Sequence, residues 1–249
     1  MEIAGDPDTK AALRDRIAGI LAPENTPFTR VQPLEIGSQR FWLKRPERPR
    51  SLRWRLQKGD PRKAFARDLA GLRFMFDRGL AAPPIVLSGA DYFVIEDAGQ
   101  PLDRLLTGDI PAAEKARAVV AAGRALGALH RAGARHGRPK IRDICWDGDK
   151  ARLIDMERFS PRASKRAMGL DLAILLHSML EVGIDDPALL NLALRGYADS
   201  APPAAVTDGK RWIRRIGLSA PLLRAALRFR PDNRELKASA RLAEMVGKT

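Results

Sequence analysis

The residues whose types and spacing could do chemistry are concentrated in residues 129–157, Leu-His-Arg-Ala-Gly-Ala-Arg-His-Gly-Arg-Pro-Lys-Ile-Arg-Asp-Ile-Cys-Trp-Asp-Gly-Asp-Lys-Ala-Arg-Leu-Ile-Asp-Met-Glu. A helix ending in Leu129-His130 leads into a His136-Gly137 loop. The two short apolar runs that follow form a hairpin with Asp143 at one end and Asp155 at the other. Two carboxylates converging from a hairpin suit a hard divalent cation such as Mg2+, which takes oxygen ligands. The alternative is that Asp143 begins one strand, Asp155 ends the next, and both are solvated; the adjacent His136-Gly137 favours convergence. Upstream, Lys44 closes the apolar run Phe41-Trp42-Leu43. An ammonium buried in such a strand is costly unless an anion meets it, so Lys44 calls for a carboxylate or phosphate partner.

These side chains need elements to hold them. A short helix over residues 11–21 stops before Pro23 and Pro27. Residues 28–31 and 40–44 have strand composition, with a turn at Ile36-Gly37-Ser38-Gln39. Prolines 46 and 49 make residues 45–60 an extended basic loop. Pro61 suits the first position of a helix, with Phe65, Leu69, Leu72, Phe74 and Phe76 as its apolar face and Gly79 as its stop. Residues 85–87 and 92–96 form a hairpin, and residues 96–102 a linker. Beyond it the pattern turns helical: residues 111–132, a buried helix over 171–182 flanked by Gly169 and Gly183, and helices rich in Leu, Ala and Arg from Pro187 onward. Strands plus one helix followed by a mostly helical remainder make an α+β chain in two lobes, residues 1–97 and 98–249, with a cleft between them as the natural ligand site.

Composition narrows the options. The chain has 249 residues and is 45% hydrophobic, enough for a core. It has no apolar run approaching the roughly 18–20 residues that span a bilayer, and its acidic start, Met1-Glu-Ile-Ala-Gly-Asp, is unlike a signal peptide. The expectation is a cytoplasmic protein. One cysteine, Cys145, excludes an internal disulfide, and three histidines with one cysteine argue against a Cys/His zinc site. The net charge of +14 attracts polyanions, and Arg45, Arg48, Arg50, Arg53, Arg55, Lys58, Arg62, Lys63 and Arg67 form a basic patch. Trp42 and Trp54 within that stretch raise the question of single-stranded nucleic acid, but no nucleic-acid motif is present, and alternation makes Trp42 a core residue. His130 reads as a cap or packing residue, His177 as a satisfied core histidine, and Cys145 as an inert core thiol. Gly123 and Gly127 read as a close helix contact.

In order along the chain, these pieces resemble the protein-kinase-like superfamily, especially the lipopolysaccharide Kdo/heptose kinases, and are also similar to the aminoglycoside phosphotransferases. The resemblance covers roughly residues 28–180 and implies a bilobal fold: a small antiparallel sheet with one helix, then a mainly helical lobe. It implies ATP and Mg2+ as cofactors, with Lys44 on the nucleotide phosphates and Asp68 orienting it. Val94-Ile95-Glu96-Asp97 would be the hinge whose backbone meets adenine, His136 would structure the catalytic loop, and Asp143 and Asp155 would hold metal. Asp171 would brace that loop through its backbone. The nucleotide-covering turn departs from the family in having Gly37 as its only glycine.

A further departure decides the mechanism. Arg138 stands where the family carries its catalytic aspartate, and a guanidinium cannot accept a proton. Three readings stay open. Arg138 neutralises transferring or acceptor phosphate while Asp143 doubles as metal ligand or proton acceptor; or the protein is a pseudokinase that binds nucleotide without transfer; or the cleft anchors an anionic ligand on Arg138. By resemblance the acceptor is a hydroxyl of a lipopolysaccharide core sugar, with a Ser/Thr protein substrate as an alternative. The basic patch would suit a phosphorylated glycolipid, an acidic protein, or peripheral contact with an anionic membrane at the inner face of the cell membrane.

Overall fold

The computed structural model describes residues 6–22, 28–48, 60–218, 220–230 and 232–246. Helix α1, Pro7–Leu21, begins earlier than its apolar pattern suggests, because Asp6 accepts from the amides of Asp8 and Thr9 and Pro7 fits the first helical position. The four-stranded antiparallel sheet has the order β1-β2-β4-β3, with β1 Val31–Ile36, β2 Gln39–Lys44, β3 Ile85–Ser88 and β4 Phe93–Glu96. The first strand therefore starts at Val31, the last residue of the run 28–31 expected to form it, and extends five residues beyond. It contains Pro33, but β1 is an edge strand, where a proline removes no needed ladder bond.

Alternation along β2 sends its side chains to two different cores. Phe41 and Leu43 pack with Leu13 and Ile17 of α1 and with Leu34, Val86 and Val94. Trp42 faces the other way, against the large core that also holds Phe65, Leu72, Met75 and Phe93, and Lys44, two residues on, shares that face. Helix α2, Pro61–Phe76, covers it with Phe65, Asp68, Leu72 and Met75 buried. Phe74 and Phe76, expected on the apolar face, are only partly buried; Met75 takes the inward position.

The linker expected over 96–102 contains a strand, β5 Gln100–Pro101, which starts a second sheet with β6 Ile144–Trp146 and β7 Ala151–Leu153. Helix α3, Leu102–Thr107, follows at once. The long helix α4, Ala112–Arg131, packs on α6, Pro187–Ser200. Their axes approach closely: a Cβ on Gly123 would lie 2.1 Å from the Ala193 carbonyl oxygen. Helix α5, Lys165–Glu181, is capped by Ser164 and runs through Gly169 instead of starting after it. Gly169 sits against Asp208–Gly209 of α7, Pro203–Leu218. Helices α8, Ala220–Phe229, and α9, Arg234–Val246, complete the chain. His177 is not a core residue: it is half-buried and bridges α5 to α9 through Ser239 Oγ at 2.9 Å and the Glu235 carbonyl at 3.2 Å. No helix among the described residues is long and apolar enough to cross a membrane.

Candidate functional site

Lys44 reaches from β2 into a cluster of carboxylates. Its ammonium pairs with Asp68 of α2 and lies 2.8 Å from Asp155 Oδ1. Burial works to lower the lysine's pKa, but the two carboxylates outweigh it and hold Lys44 above its ordinary value. Asp68 also accepts the Met156 amide proton at 2.7 Å. Its short side chain thus ties the lysine to the loop that follows β7. Helix α2 can come that near because Gly71 carries no Cβ; one placed there would sit 2.7 Å from Met156 Cβ.

Asp155 is the one non-glycine residue with positive φ, +60°, among the described residues. Left-handed backbone at a non-glycine residue costs energy and concentrates at functional sites. Burial pushes its carboxyl up, but Lys44 and then Arg30 more than offset this and keep it below the usual range. Asp143 ends a 3-10 turn, Ile141–Asp143, and its carbonyl accepts from the Ile154 amide at 2.9 Å, which joins the two ends of the hairpin. Burial, reinforced by the charge of Asp155, pushes Asp143 up to about 7, against the opposing charges of Arg142 and Arg138. Its Oδ2 is buried without a hydrogen-bond partner.

That orphaned oxygen beside a second carboxylate fits a divalent cation that completes its shell with phosphate and water oxygens. Among the described residues no cluster of three or more metal-binding side chains exists, so protein ligands alone would not enclose an ion.

The loop before Asp143 is fixed from below. His136 Nε2 donates to the Ile154 carbonyl at 2.9 Å, so its neutral tautomer carries the proton there; burial lowers its pKa. Gly137 has φ +93° and presses on the Arg158 backbone, where a Cβ would come within 2.3 Å of the carbonyl oxygen. Its amide donates to Asp171 Oδ2 at 2.9 Å. Asp171 in turn lies 3.4 Å from His130 Nε2, and His130 Nδ1 lies 2.7 Å from the Tyr197 hydroxyl. His130 is therefore a buried link across the core and not a helix cap.

A cavity of about 350 Å3 opens above this cluster. Lys44, Asp68, Asp143 and Asp155 form its polar end, and Trp42, Leu72, Phe93, Ile95 and Cys145 are among its apolar walls. Larger grooves of about 670 and 850 Å3 lie elsewhere; neither contains a buried lysine–carboxylate cluster. Of the expected hinge residues, Asp97 lines the cavity and accepts from Trp42 Nε1 at 3.2 Å, while Glu96 does not line it and donates its amide to the Pro84 carbonyl. Arg138 lies outside the cavity wall. Among the described residues its guanidinium has no ion-pair partner, though its charge is felt at Asp143.

Two participants escaped the sequence reading. Arg30 pairs with Glu157 and lies 3.9 Å from Asp155; nothing in Phe28-Thr-Arg-Val pointed to it. Trp42, expected in the core, lines the cavity, and its alternation with Lys44 was the available signal. The basic residues Arg50, Arg53, Arg55 and Lys58, together with Trp54, lie outside the described residues. Cys145 is buried, and burial, with nearby aspartates, pushes its thiol up to about 12.

Residues 95–195 match the lipopolysaccharide kinase (Kdo/WaaP) family. An uncharacterized protein of Haemophilus influenzae is 30% identical over 168 residues, 66% of this chain and 69% of that one. The chain belongs to the Kdo/WaaP lipopolysaccharide kinase family. Among solved structures, WaaP in complex with acyl carrier protein superposes with a TM-score of 0.51 at 19% identity, covering 99% of each chain. The streptomycin–ATP–APH(2")-IIa complex gives 0.49 at 12% identity over 96% of this chain and 99% of the other. The α+β fold, a small antiparallel sheet followed by mainly helical structure, is that of the kinase-like proteins. The Kdo/WaaP match begins at Ile95 and so takes in Asp143, Asp155 and Asp171, whereas Lys44 and Asp68 lie before it.

Proposed function

We propose that this chain is an ATP- and Mg2+-dependent phosphotransferase that moves the γ-phosphoryl group onto a hydroxyl of a lipopolysaccharide core sugar. One observation carries the reading: Lys44 is held by Asp68 and Asp155 at the polar end of an apolar cavity where Asp143 presents an unpartnered oxygen. The apolar walls suit a base, Asp97 and its neighbours would meet its edge, and Lys44 would hold phosphate oxygens. Asp143 and Asp155 would hold Mg2+, which would supply charge neutralisation for the phosphates.

Phosphoryl transfer through a loose transition state rests on positioning and charge neutralisation more than on proton abstraction. That tolerates Arg138 in place of an acid. Its guanidinium, without an ion-pair partner among the described residues, would meet transferring or acceptor phosphate, and Asp143 would double as metal ligand and acceptor of the hydroxyl proton as the new P–O bond forms and the bond to ADP breaks. The acceptor would be an anionic glycolipid, or an acidic protein, at the inner face of the membrane. WaaP, which shares this fold, was solved in complex with acyl carrier protein, which supports a protein partner for this chain, separate from the acceptor.

The test is thermal unfolding with ATP or ADP, each with and without Mg2+, followed by transfer of labelled γ-phosphate to lipopolysaccharide core. Ligand at a hundredfold excess over its Kd stabilises by about 2.7 kcal/mol. A Mg2+-dependent shift and label on the sugar, both lost in Asp155→Ala, are expected; a transfer rate unchanged by that substitution would remove the metal role. Arg138 itself favours a second reading, a pseudokinase, in which nucleotide shifts the midpoint but no label moves.

A further inference from the structure

The last helices carry a feature that the cavity does not use. Leu218 at the end of α7 and Leu222 and Phe229 of α8 are 77%, 75% and 87% exposed. Leu222 and Phe229 are seven apart in sequence (229 − 222), and such residues lie on one helical face. Among the described residues helix α8 packs mainly on its neighbours α7 and α9, and Leu222 and Phe229 stay exposed. From Gly209 to Pro231 the sequence holds seven Lys and Arg and no Asp or Glu. Arg214, Arg228 and Arg230 are exposed and have no ion-pair partner among the described residues.

We propose that α8 and the end of α7 form an interfacial anchor that lays Leu218, Leu222 and Phe229 into the headgroup–acyl boundary of an anionic bilayer. A short helix of low overall hydrophobicity, with Leu and Phe on one side and arginines around them, is the pattern of helices that lie in that boundary. The arginine stems run along the apolar surface while their heads stay with lipid phosphates. A second copy of the chain is disfavoured on two counts: cationic faces repel in a two-fold contact, and one short helix offers far less than the roughly 1,200 Å2 of a stable interface. The anchor stands apart from the phosphotransfer reading, because it needs neither nucleotide nor acceptor.

The experiment uses the full chain without nucleotide. Vesicles of phosphatidylcholine alone, or mixed with phosphatidylglycerol, are sedimented with the wild type, Leu222→Ser/Phe229→Ser and Arg228→Glu/Arg230→Glu. The expected result is partition to the anionic vesicles only, reduced about tenfold or more in either double variant. A polarity-sensitive dye on Phe229→Cys should shift to the blue on those vesicles, since Cys145 is buried and unavailable to the label. The changed residues are highly exposed, so midpoints should stay within a few degrees of wild type. Equal partition of wild type and Leu222→Ser/Phe229→Ser would overturn the anchor. So would an equal dye shift with soluble polyglutamate, pointing to an acidic protein, or a dimer in light scattering that this variant abolishes.

Discussion

At the scale of single residues, Lys44, Asp68, Asp143 and Asp155 are held by unlike forces. Asp155 is kept ionised by Lys44, whereas Asp143 is kept near neutrality by burial. Asp143 has a folded pKa of about 7 against an ordinary 3.8. A raised carboxyl pKa gives stability that is fully present below the ordinary value and lost as pH climbs through about 7. Asp143→Asn should therefore gain stability relative to wild type as pH rises from about 4 to about 7, by up to roughly 1.4 kcal/mol per unit, and level off above; urea unfolding at several pH values measures it. Metal runs the other way. Because Mg2+ must displace the proton of Asp143, the Mg2+-dependent nucleotide shift should weaken as pH falls from 8 to 6, and a pH-independent shift would take Asp143 out of the metal shell. For Arg138, general-base help is worth about 10²–10⁴ in rate. Should its absence limit turnover, Arg138→Asp raises it in a labelled-phosphate assay; a fall would instead assign Arg138 to phosphate.

At the scale of elements, the site hangs on backbone contacts more than on side-chain chemistry. The bond from the Gly137 amide to Asp171, and the close passage of Gly137 by Arg158, fix the loop below the cavity. Gly137→Ala combines positive φ with a clash against backbone, and should cost at least about 1 kcal/mol in denaturant unfolding. Gly123→Ala, driven into the Ala193 carbonyl where α4 meets α6, should cost about 1–3 kcal/mol while leaving the nucleotide shift intact. Much of this level was legible in the sequence: the β3–β4 and β6–β7 hairpins, α2 opened by Pro61, and the convergence of Asp143 with Asp155. What escaped was set by tertiary context. β1 runs on past residues 28–31 as an edge strand through Pro33, Ser164 started α5 ahead of its apolar run, and two-residue β5 is too short to leave a pattern. The partnership of Arg30 with Glu157 joins chain segments that no local spacing connects.

At the scale of the whole molecule, we infer that residues 1–97 and 98–249 act as two units, joined through β5 and the cavity. One hydrophobic core nonetheless runs from Phe65 and Phe93 to Leu172 and Tyr197, so apo unfolding should be a single transition by both far-ultraviolet dichroism and Trp fluorescence. Two transitions would separate the units energetically. The alternation of β2 has a consequence for the fidelity of folding. Slip that strand by one residue against β4 and every side chain changes sides. Phe41 and Leu43 would turn to the cavity, while Lys44 would be driven among Leu13, Ile17 and Val94, with no carboxylate to meet it. A misregistered chain thus loses Lys44 from the cavity and buries a bare ammonium in the same step. The lysine that pairs with Asp68 and Asp155 also proofreads the sheet, so a chain that folds wrongly here is held well above the native state.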